Sequence, residues 1–116
     1  KTLSLDEPLR NALAPFAEQI TWAFIYGSIA KGEAHSSSDI DLMLIGESLD
    51  YSEVMEQLMP LEGQLGRTIN PTLYTPDDWI GKWKAGNSFV QRVVQQDKIN
   101  LMGGNPLGFM DGNTAE

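Results

Sequence analysis

Two short apolar runs near the start of the sequence constrain the fold more than any other feature. The first, Thr21–Tyr26 (TWAFIY), ends at Gly27, and the second, Asp39–Ile45, alternates before it becomes wholly apolar and ends at Gly46. Runs of this length, with β-branched and aromatic residues and a closing glycine, are typical of strands rather than helices. We therefore expect them to form the first two strands of a sheet.

Amphipathic helical patterns alternate with the strands along the rest of the chain. Helices are predicted over residues 5–19, over 50–65, from a start at 75–78 and over 88–96, and further strands over 69–75 and, as a candidate fourth, 98–102. Pro60 is expected to bend or shorten the second of these helices, and Pro71 favours an edge position for the third strand. The pattern predicts an α+β domain, with a small mixed sheet of three core strands and a candidate fourth flanked by helices.

The length allows one domain with a single core. We expect a domain over residues 1–102 and a loose tail over 103–116, which is rich in Gly, Asn and acidic residues. The sequence opens with Lys rather than Met, which is compatible with one domain of a longer protein. The lack of cysteine excludes disulfides and thiolate zinc sites and fits a cytoplasmic protein, and no apolar run approaches the roughly 18 residues that span a bilayer.

The charge balance limits the partners of the domain. Sixteen acidic residues against eight basic ones give a net charge of −8. A field of this sign repels phosphate backbones, so direct nucleic-acid binding by this domain is not expected. A nucleotide can still bind where a divalent cation bridges it to carboxylates, and cationic molecules or basic proteins are favoured partners.

Two aspartates one residue apart open the second predicted strand. Alternate residues of a strand share a face, so Asp39 and Asp41 project together while Ile40 and Leu42 face the core. Paired carboxylates suit Mg²⁺, which takes oxygen ligands at about 2.0–2.1 Å and keeps water or phosphate oxygens. A bare D-x-D is more often only a polar strand start. An EF-hand and a haloacid-dehalogenase-type phosphatase are excluded, because apolar residues follow the acids.

A second group of candidate ligand-binding residues ends the first strand. If the two strands are adjacent and antiparallel, the ten residues between Ser28 and Asp39 bring Ser28 back beside the aspartates. Gly27 would allow close backbone approach to a ligand, Ser28 offers a hydroxyl and an N–H at the start of a short helical turn, and Lys31 adds a positive charge. A phosphate-binding turn facing a carboxylate pair suits metal-assisted phosphoryl or nucleotidyl transfer.

These residues together resemble the signature of the polymerase-beta-type nucleotidyltransferase superfamily, and the short chain is similar to its minimal, MNT-like members. The matching residues are Gly27-Ser28, the G-S-x-A-x-G extension to Gly32, Ser38, and Asp39-x-Asp41 before an apolar run. The resemblance implies Mg²⁺-dependent transfer of a nucleoside monophosphate from an NTP, ATP by default, onto a hydroxyl of a protein or a small cationic molecule. It implies that Gly27 and Ser28 hold the triphosphate and that Asp39 and Asp41 bind the metals.

One position departs from that family pattern. Active members generally carry a third carboxylate on the third core strand, and Asn70 lies at the expected place if that strand runs parallel to the second. Asn offers a neutral oxygen and accepts no proton, so a second metal would bind more weakly. The alternative is therefore a catalytically degenerate, nucleotide-binding regulatory or antitoxin-like partner domain. The Asn-Pro-Thr-x-Tyr stretch also resembles MNT-like domains that carry a DNA-binding segment on the same chain.

Other candidate residues have simpler interpretations. Asp77 and Asp78 fit a helix start better than a metal site, and His35 fits a solvated loop better than a substrate contact. Arg67 could reach a phosphate or be a plain surface charge. Trp79 and Trp83, one turn apart, favour core packing over base stacking.

Overall fold

A computed structural model describes residues 5–35 and 38–108 of the chain. These residues form five α-helices, one 3₁₀ turn and four strands. In chain order the elements are α1 (Asp6–Leu13), the 3₁₀ turn (Ala14–Phe16), β1 (Ile20–Tyr26), α2 (Ser28–Lys31), β2 (Ile40–Gly46), α3 (Tyr51–Leu65), β3 (Ile69–Tyr74), α4 (Pro76–Lys84), α5 (Ser88–Gln95) and β4 (Ile99–Gly103). The predicted order is confirmed, including the candidate fourth strand.

Side-chain caps define where three of the helices begin. Asp50 accepts a hydrogen bond from the N–H of Glu53 at the start of α3, and Thr75 accepts one from Asp78 at the start of α4, each at 3.0 Å. Asn87 does the same for α5. These short oxygen-bearing side chains satisfy amide donors that the first turn of a helix leaves unpaired.

The four strands form one mixed sheet in the order β3-β2-β1-β4. β1 is antiparallel to both β2 and β4, whereas β2 and β3 are parallel. The prediction that Pro71 belongs to an edge strand is confirmed, because β3 lies at the edge of the sheet. The antiparallel turn from β1 to β2 brings the end of β1 next to the start of β2, as the glycine-terminated runs predict.

Helices cover both faces of the sheet. Leu9 and Leu13 of α1 and the buried side of α3 pack on one face with Leu42 and Leu44 of β2. On the other face, side chains of α4 and α5 pack against side chains of β1 and β2 and form a second cluster. That cluster contains Trp22, Phe24, Met43, Ile45, Trp79, Val90, Val93 and Val94. Both faces of β2 are therefore buried beyond its first residues, as expected for a central strand.

Both edge strands have backbone groups covered by side chains. The carboxylate of Glu62 on α3 accepts the N–H of Ile69 at 2.8 Å, and Pro71, two residues on, has no N–H. At the opposite edge, Arg10 donates to the carbonyl oxygens of Asn100 and Leu101 at 3.1 and 2.8 Å. Many of the backbone N–H and C=O groups along these two edges are thus unavailable for pairing with another strand.

The residues after β4 continue along the second cluster. Asn105 Oδ1 accepts hydrogen bonds from Nε1 of the buried Trp79 at 3.1 Å and from the N–H of Leu107 at 2.9 Å. Leu107 packs against the same cluster. Residues 109–116 of the predicted loose tail lie outside the described residues, and the domain boundary at residue 102 stays a prediction. Among the helices described, none combines the length and apolar character needed to cross a membrane.

Candidate functional site

The turn that ends β1 has a backbone that only glycine adopts readily. Gly27 has φ +79° and ψ −152°, a region closed to residues that carry a Cβ. A Cβ built at this position would also collide with Oδ2 of Asp41. The close approach that the structure shows at Gly27 is of the backbone to the second aspartate of the D-x-D pair, and the approach to a ligand stays a prediction.

A single helical turn follows this glycine. Ser28 begins α2, Lys31 donates its N–H to the carbonyl of Gly27 at 3.1 Å, and Gly32 closes the turn with φ +77°. Lys31 lies exposed in this turn. The structure thus places Gly27, Ser28 and Lys31 on one tight connection at the end of the sheet where β2 begins.

The two aspartates differ in their surroundings. Asp39 is exposed just before β2, whereas Asp41 is half-buried within it and pairs in register with Tyr26 of β1. Burial raises the pKa of Asp41, and the charge of Asp39 raises that pKa further. The charge of Asp39 thus disfavours the ionised form of Asp41, and a cation between the two carboxylates would relieve this.

The register of the parallel pair brings Asn70 to the aspartates. Asn70 of β3 is the partner of Asp41, and its Nδ2 donates to Oδ2 of Asp39 at 3.1 Å. The Asn70 amide also acts to lower the pKa of Asp41. The opposite amide orientation would set its carbonyl oxygen against a carboxylate, so the donor orientation is the favourable one. The predicted position of Asn70 level with the D-x-D pair is confirmed.

The donor set at this corner fits one magnesium ion better than two. Asp39 and Asp41 supply two carboxylates, and Asn70 supplies only an amide. Nowhere in residues 5–35 and 38–108 do three or more Asp, Glu, His or Cys side chains form a group that could hold a metal. Since Mg²⁺ in proteins is commonly held by one or two carboxylates and completed by phosphate oxygens and water, the pair fits an ion that arrives with a nucleotide.

A contact that the sequence did not predict lies beside Asp39. Nη1 of Arg67 donates to the carbonyl oxygen of Ser38 at 2.7 Å, and Ser38 Oγ accepts the N–H of His35, also at 2.7 Å. His35 itself is exposed. No local pattern signals the contact between Arg67 and Ser38, because 29 residues separate the two and only the β2–β3 pairing brings them together.

The remaining candidates, Asp77, Asp78 and Trp79, lie in α4, away from the aspartate pair, whereas Tyr26 lies next to Asp41. Asp77 and Asp78 are exposed in the first turn of α4, where Thr75 provides the cap. Trp79 is fully buried, and its edge contacts with Trp22 confirm the prediction of core packing. Tyr26 is half-buried between Asp41 and the second cluster, and burial raises the pKa of its hydroxyl.

A family comparison identifies the chain. The model of the family described as polymerase beta, nucleotidyltransferase matches residues 9–99, well over half of the sequence. The chain belongs to this nucleotidyltransferase family. The resemblance carried by the G-S and D-x-D residues is therefore confirmed, and no curated protein matches the chain at a significant level.

Solved structures show the same nucleotidyltransferase fold. A chain of a toxin–antitoxin crystal structure with AMP-PNP superposes with a TM-score of 0.62 at 15% identity, covering 94% of this chain and 82% of that chain. A chain of the MntA–HepT toxin–antitoxin crystal structure superposes with a TM-score of 0.54 at 13% identity, covering 92% of this chain and 77% of that chain. At this level of identity the likeness shows the fold alone.

Proposed function

We propose that this domain transfers a nucleoside monophosphate, AMP from ATP by default, to a hydroxyl group of a partner protein in a Mg²⁺-dependent reaction. The observation that carries the proposal is the convergence of the Gly27 turn on Asp41. Through it, a turn suited to phosphates and a carboxylate pair suited to a metal share one corner of the sheet. Membership of the nucleotidyltransferase family supports the same chemistry.

In the proposed complex each residue of the corner has a separate task. Gly27 and Ser28 bind the triphosphate, and Lys31 adds a positive charge beside it. Asp39 and Asp41 hold Mg²⁺, which would offset charge on the phosphates. Burial and the charge of Asp39 disfavour the ionised form of Asp41 when no cation is near, so nucleotide and metal are expected to bind together.

The proposed reaction is an in-line displacement at the α-phosphorus. A bond forms between the acceptor oxygen and the α-phosphorus as the bond to the bridging oxygen breaks, and pyrophosphate leaves. The acceptor hydroxyl loses its proton. Asn70 accepts no proton, so among the three converging side chains only Asp39 and Asp41 can take it.

A protein acceptor is favoured for two reasons. The two fold relatives described above come from toxin–antitoxin crystal structures, one of them with AMP-PNP, so a domain of this fold occurs together with a second protein. The net charge of −8 favours encounter with a basic surface and disfavours a nucleic-acid acceptor. Small cationic acceptors fit the charge equally well but have no such support.

A second function is favoured by Asn70. With an amide where the family pattern has a third carboxylate, the domain could bind nucleotide without transferring it and act as a regulatory partner. This alternative keeps the whole nucleotide site and differs only in turnover, so the two functions are separable by experiment.

Calorimetric titration of Mg²⁺-ATP tests the binding that both functions require. The wild type is expected to bind, and Asp39→Ala/Asp41→Ala is expected to lose the metal-dependent part of the affinity. Asp77→Ala/Asp78→Ala is the matched control, because it removes the same charge from exposed positions in α4. A wild type without metal-dependent affinity would exclude both functions.

Transfer is tested with ATP labelled at the α-phosphate in an extract of the source cells. Covalent label on a protein, with matching pyrophosphate release, is expected for the wild type and for the Asp77/Asp78 control but not for the Asp39/Asp41 variant. If the wild type binds but transfers nothing, the regulatory alternative holds. Asn70→Asp is then expected to restore turnover if that position completes the metal site.

A further inference from the structure

Arg67 lies in the short connection between α3 and β3 and uses its guanidinium inside the molecule. Its Nη1 donates to the carbonyl of Ser38, the residue immediately before Asp39, at 2.7 Å. Arg67 is half-buried. A guanidinium that donates to a buried or half-buried carbonyl forms a charge-assisted hydrogen bond, which is stronger than a neutral one.

The connection that carries Arg67 is itself firmly held. Gly66 ends α3 in the left-handed conformation, with φ +66°, and donates its N–H to the carbonyl of Glu62 at 2.8 Å. The side chain of Glu62 accepts the N–H of Ile69 at 2.8 Å. Arg67 is thus fixed from both sides, and it reaches Ser38 from a rigid base.

The backbone around Asp39 is attached to this base on both sides. Before Asp39, the carbonyl of Ser38 accepts from Arg67, and after it, the N–H of Ile40 donates to the carbonyl of Thr68 at 2.8 Å. Without the Arg67 contact, the hydrogen bond from Ile40 to Thr68 would remain, and the one at Ser38 would be lost. The exposed carboxylate of Asp39 would then stand at the frayed end of a strand.

We infer that Arg67 is a positioning residue, one that fixes the backbone before Asp39 so that its carboxylate stays beside that of Asp41. The inference rests on the proposed function in assigning a metal to the two aspartates. A metal site needs its ligands held within a fraction of an ångström, and Asp39 lies at the end of the connection between β1 and β2, directly before β2 begins. Arg67 supplies that restraint from the connection between α3 and β3, without touching the metal or the nucleotide.

The test compares Arg67→Ala and Arg67→Lys with Arg92→Ala, a control that removes an exposed arginine from α5. Hydrogen exchange at the amides of Ser38 and Ile40 reports the local restraint, and calorimetry reports ATP affinity with and without Mg²⁺. Exchange at both amides is expected to become about tenfold faster in Arg67→Ala, the factor that a charge-assisted hydrogen bond readily supplies. Arg92→Ala should exchange like the wild type.

Nucleotide binding separates positioning from direct phosphate contact. In Arg67→Ala the Mg²⁺-ATP affinity is expected to fall about tenfold, by the same factor, while metal-free ATP affinity stays unchanged. Arg67→Lys, which can still donate to Ser38, should recover most of both properties. Unchanged exchange in Arg67→Ala, or equal loss of metal-free and metal-loaded ATP binding, would overturn the inference. A wild type that binds no Mg²⁺-ATP would refute the proposed function instead, and the exchange comparison would still decide whether Arg67 holds this backbone.

Discussion

At the scale of single residues, Gly27 shows why the G-S residues come directly before the loop that leads to the aspartates. Its backbone lies in a region open to glycine alone, and its missing side chain leaves the space into which Asp41 Oδ2 projects. The two halves of the motif are thus in contact with each other before any ligand binds.

Gly27→Ala is predicted to destabilise the fold through both effects. Backbone strain alone should lower the free energy of unfolding by about 1–3 kcal/mol, and displacement of Asp41 should weaken Mg²⁺-ATP binding as well. Gly32→Ala is the matched control, because Gly32 has φ +77° but nothing within 4 Å of an added Cβ. Urea unfolding of both variants would contradict this account if Gly32→Ala lost as much stability as Gly27→Ala.

The raised pKa of Asp41 makes a second residue-level prediction. Burial, followed by the charge of Asp39, raises this pKa above its ordinary value of 3.8. Between pH 3.8 and the raised value, the folded state holds a proton that the unfolded state has released, so stability falls as the pH rises through this window. Asp41→Asn should therefore melt at a higher temperature than the ligand-free wild type at pH 7 and should lose that advantage below pH 3.8. Thermal melts across pH 3–7, with about one-unit steps, would test the sign.

Strand periodicity and the antiparallel connection predicted that Asp39 and Asp41 share a face near Gly27. The level of Asn70 was predicted from the family pattern, on the condition that β3 runs parallel to β2, and the register confirms it. The sequence did not predict the contact between Arg67 and Ser38, since that contact depends on side chains meeting across β2 and β3. Nor could it show that Asn70 donates to Asp39, because the direction of an amide is set by its neighbours.

At the scale of elements, the helix predicted over residues 5–19 differs most from the structure, since α1 ends at Leu13 and only a 3₁₀ turn follows it. Pro60 was expected to bend or shorten α3, yet it does not shorten this helix, which runs without interruption from Tyr51 to Leu65. Val54 and Leu58 before the proline and Leu61 after it are all buried against the same core. Packing on both sides of Pro60 outweighs the hydrogen bond that its missing N–H cannot make, and local propensity contains no information about that packing.

Pro60→Ala is accordingly predicted to stabilise the protein. Removing the proline relieves a penalty of about 3 kcal/mol for proline inside a helix. The unfolded chain also gains freedom, which costs up to about 1 kcal/mol. The free energy of unfolding should therefore rise by about 2 kcal/mol. Pro76→Ala provides the comparison, since Pro76 occupies the first position of α4, where proline is well tolerated. Chemical denaturation should show a gain for the first variant and none for the second. A loss on Pro60→Ala would mean that the proline ring contributes packing that alanine cannot replace.

The short elements next to the site were more predictable than their surroundings. The single turn of α2 follows from glycine at both of its ends, Gly27 and Gly32. The packing after β4 could not be predicted, because Asn105 becomes a hydrogen-bond acceptor only where Trp79 is buried beside it. Sequence composition alone predicts a loose segment there.

At the scale of the whole molecule, the negative charge determines how ligands arrive. A chain with a net charge of −8 repels a metal-free nucleoside triphosphate, which is itself strongly anionic. The carboxylate pair lies at one end of a sheet whose two faces are filled by separate apolar clusters, so ligands reach it from that end. Under the proposed function, a bound metal would therefore favour the encounter with nucleotide as well as the chemistry.

The net charge predicts that added salt changes the binding affinities of two ligands in opposite directions. Raising KCl from about 0.05 M to 0.3 M shortens the screening length to well under 10 Å. Metal-free ATP should then bind better because repulsion is screened, whereas a polylysine peptide, used as a model basic partner, should bind less well. Calorimetric titration at the two salt concentrations measures both. If both affinities moved in the same direction, net charge would not control encounter.

The covered edges of the sheet also decide what kind of contact another protein can make. With the N–H of Ile69 taken by Glu62, no N–H at Pro71, and Arg10 bound to two carbonyls of β4, an incoming extended segment meets an interrupted ladder on either side. The structure therefore favours contacts through side chains on the helices and at the open end of the sheet over strand pairing. Such a surface can be remodelled residue by residue, so the choice of partner can change while the backbone that holds the aspartates stays the same.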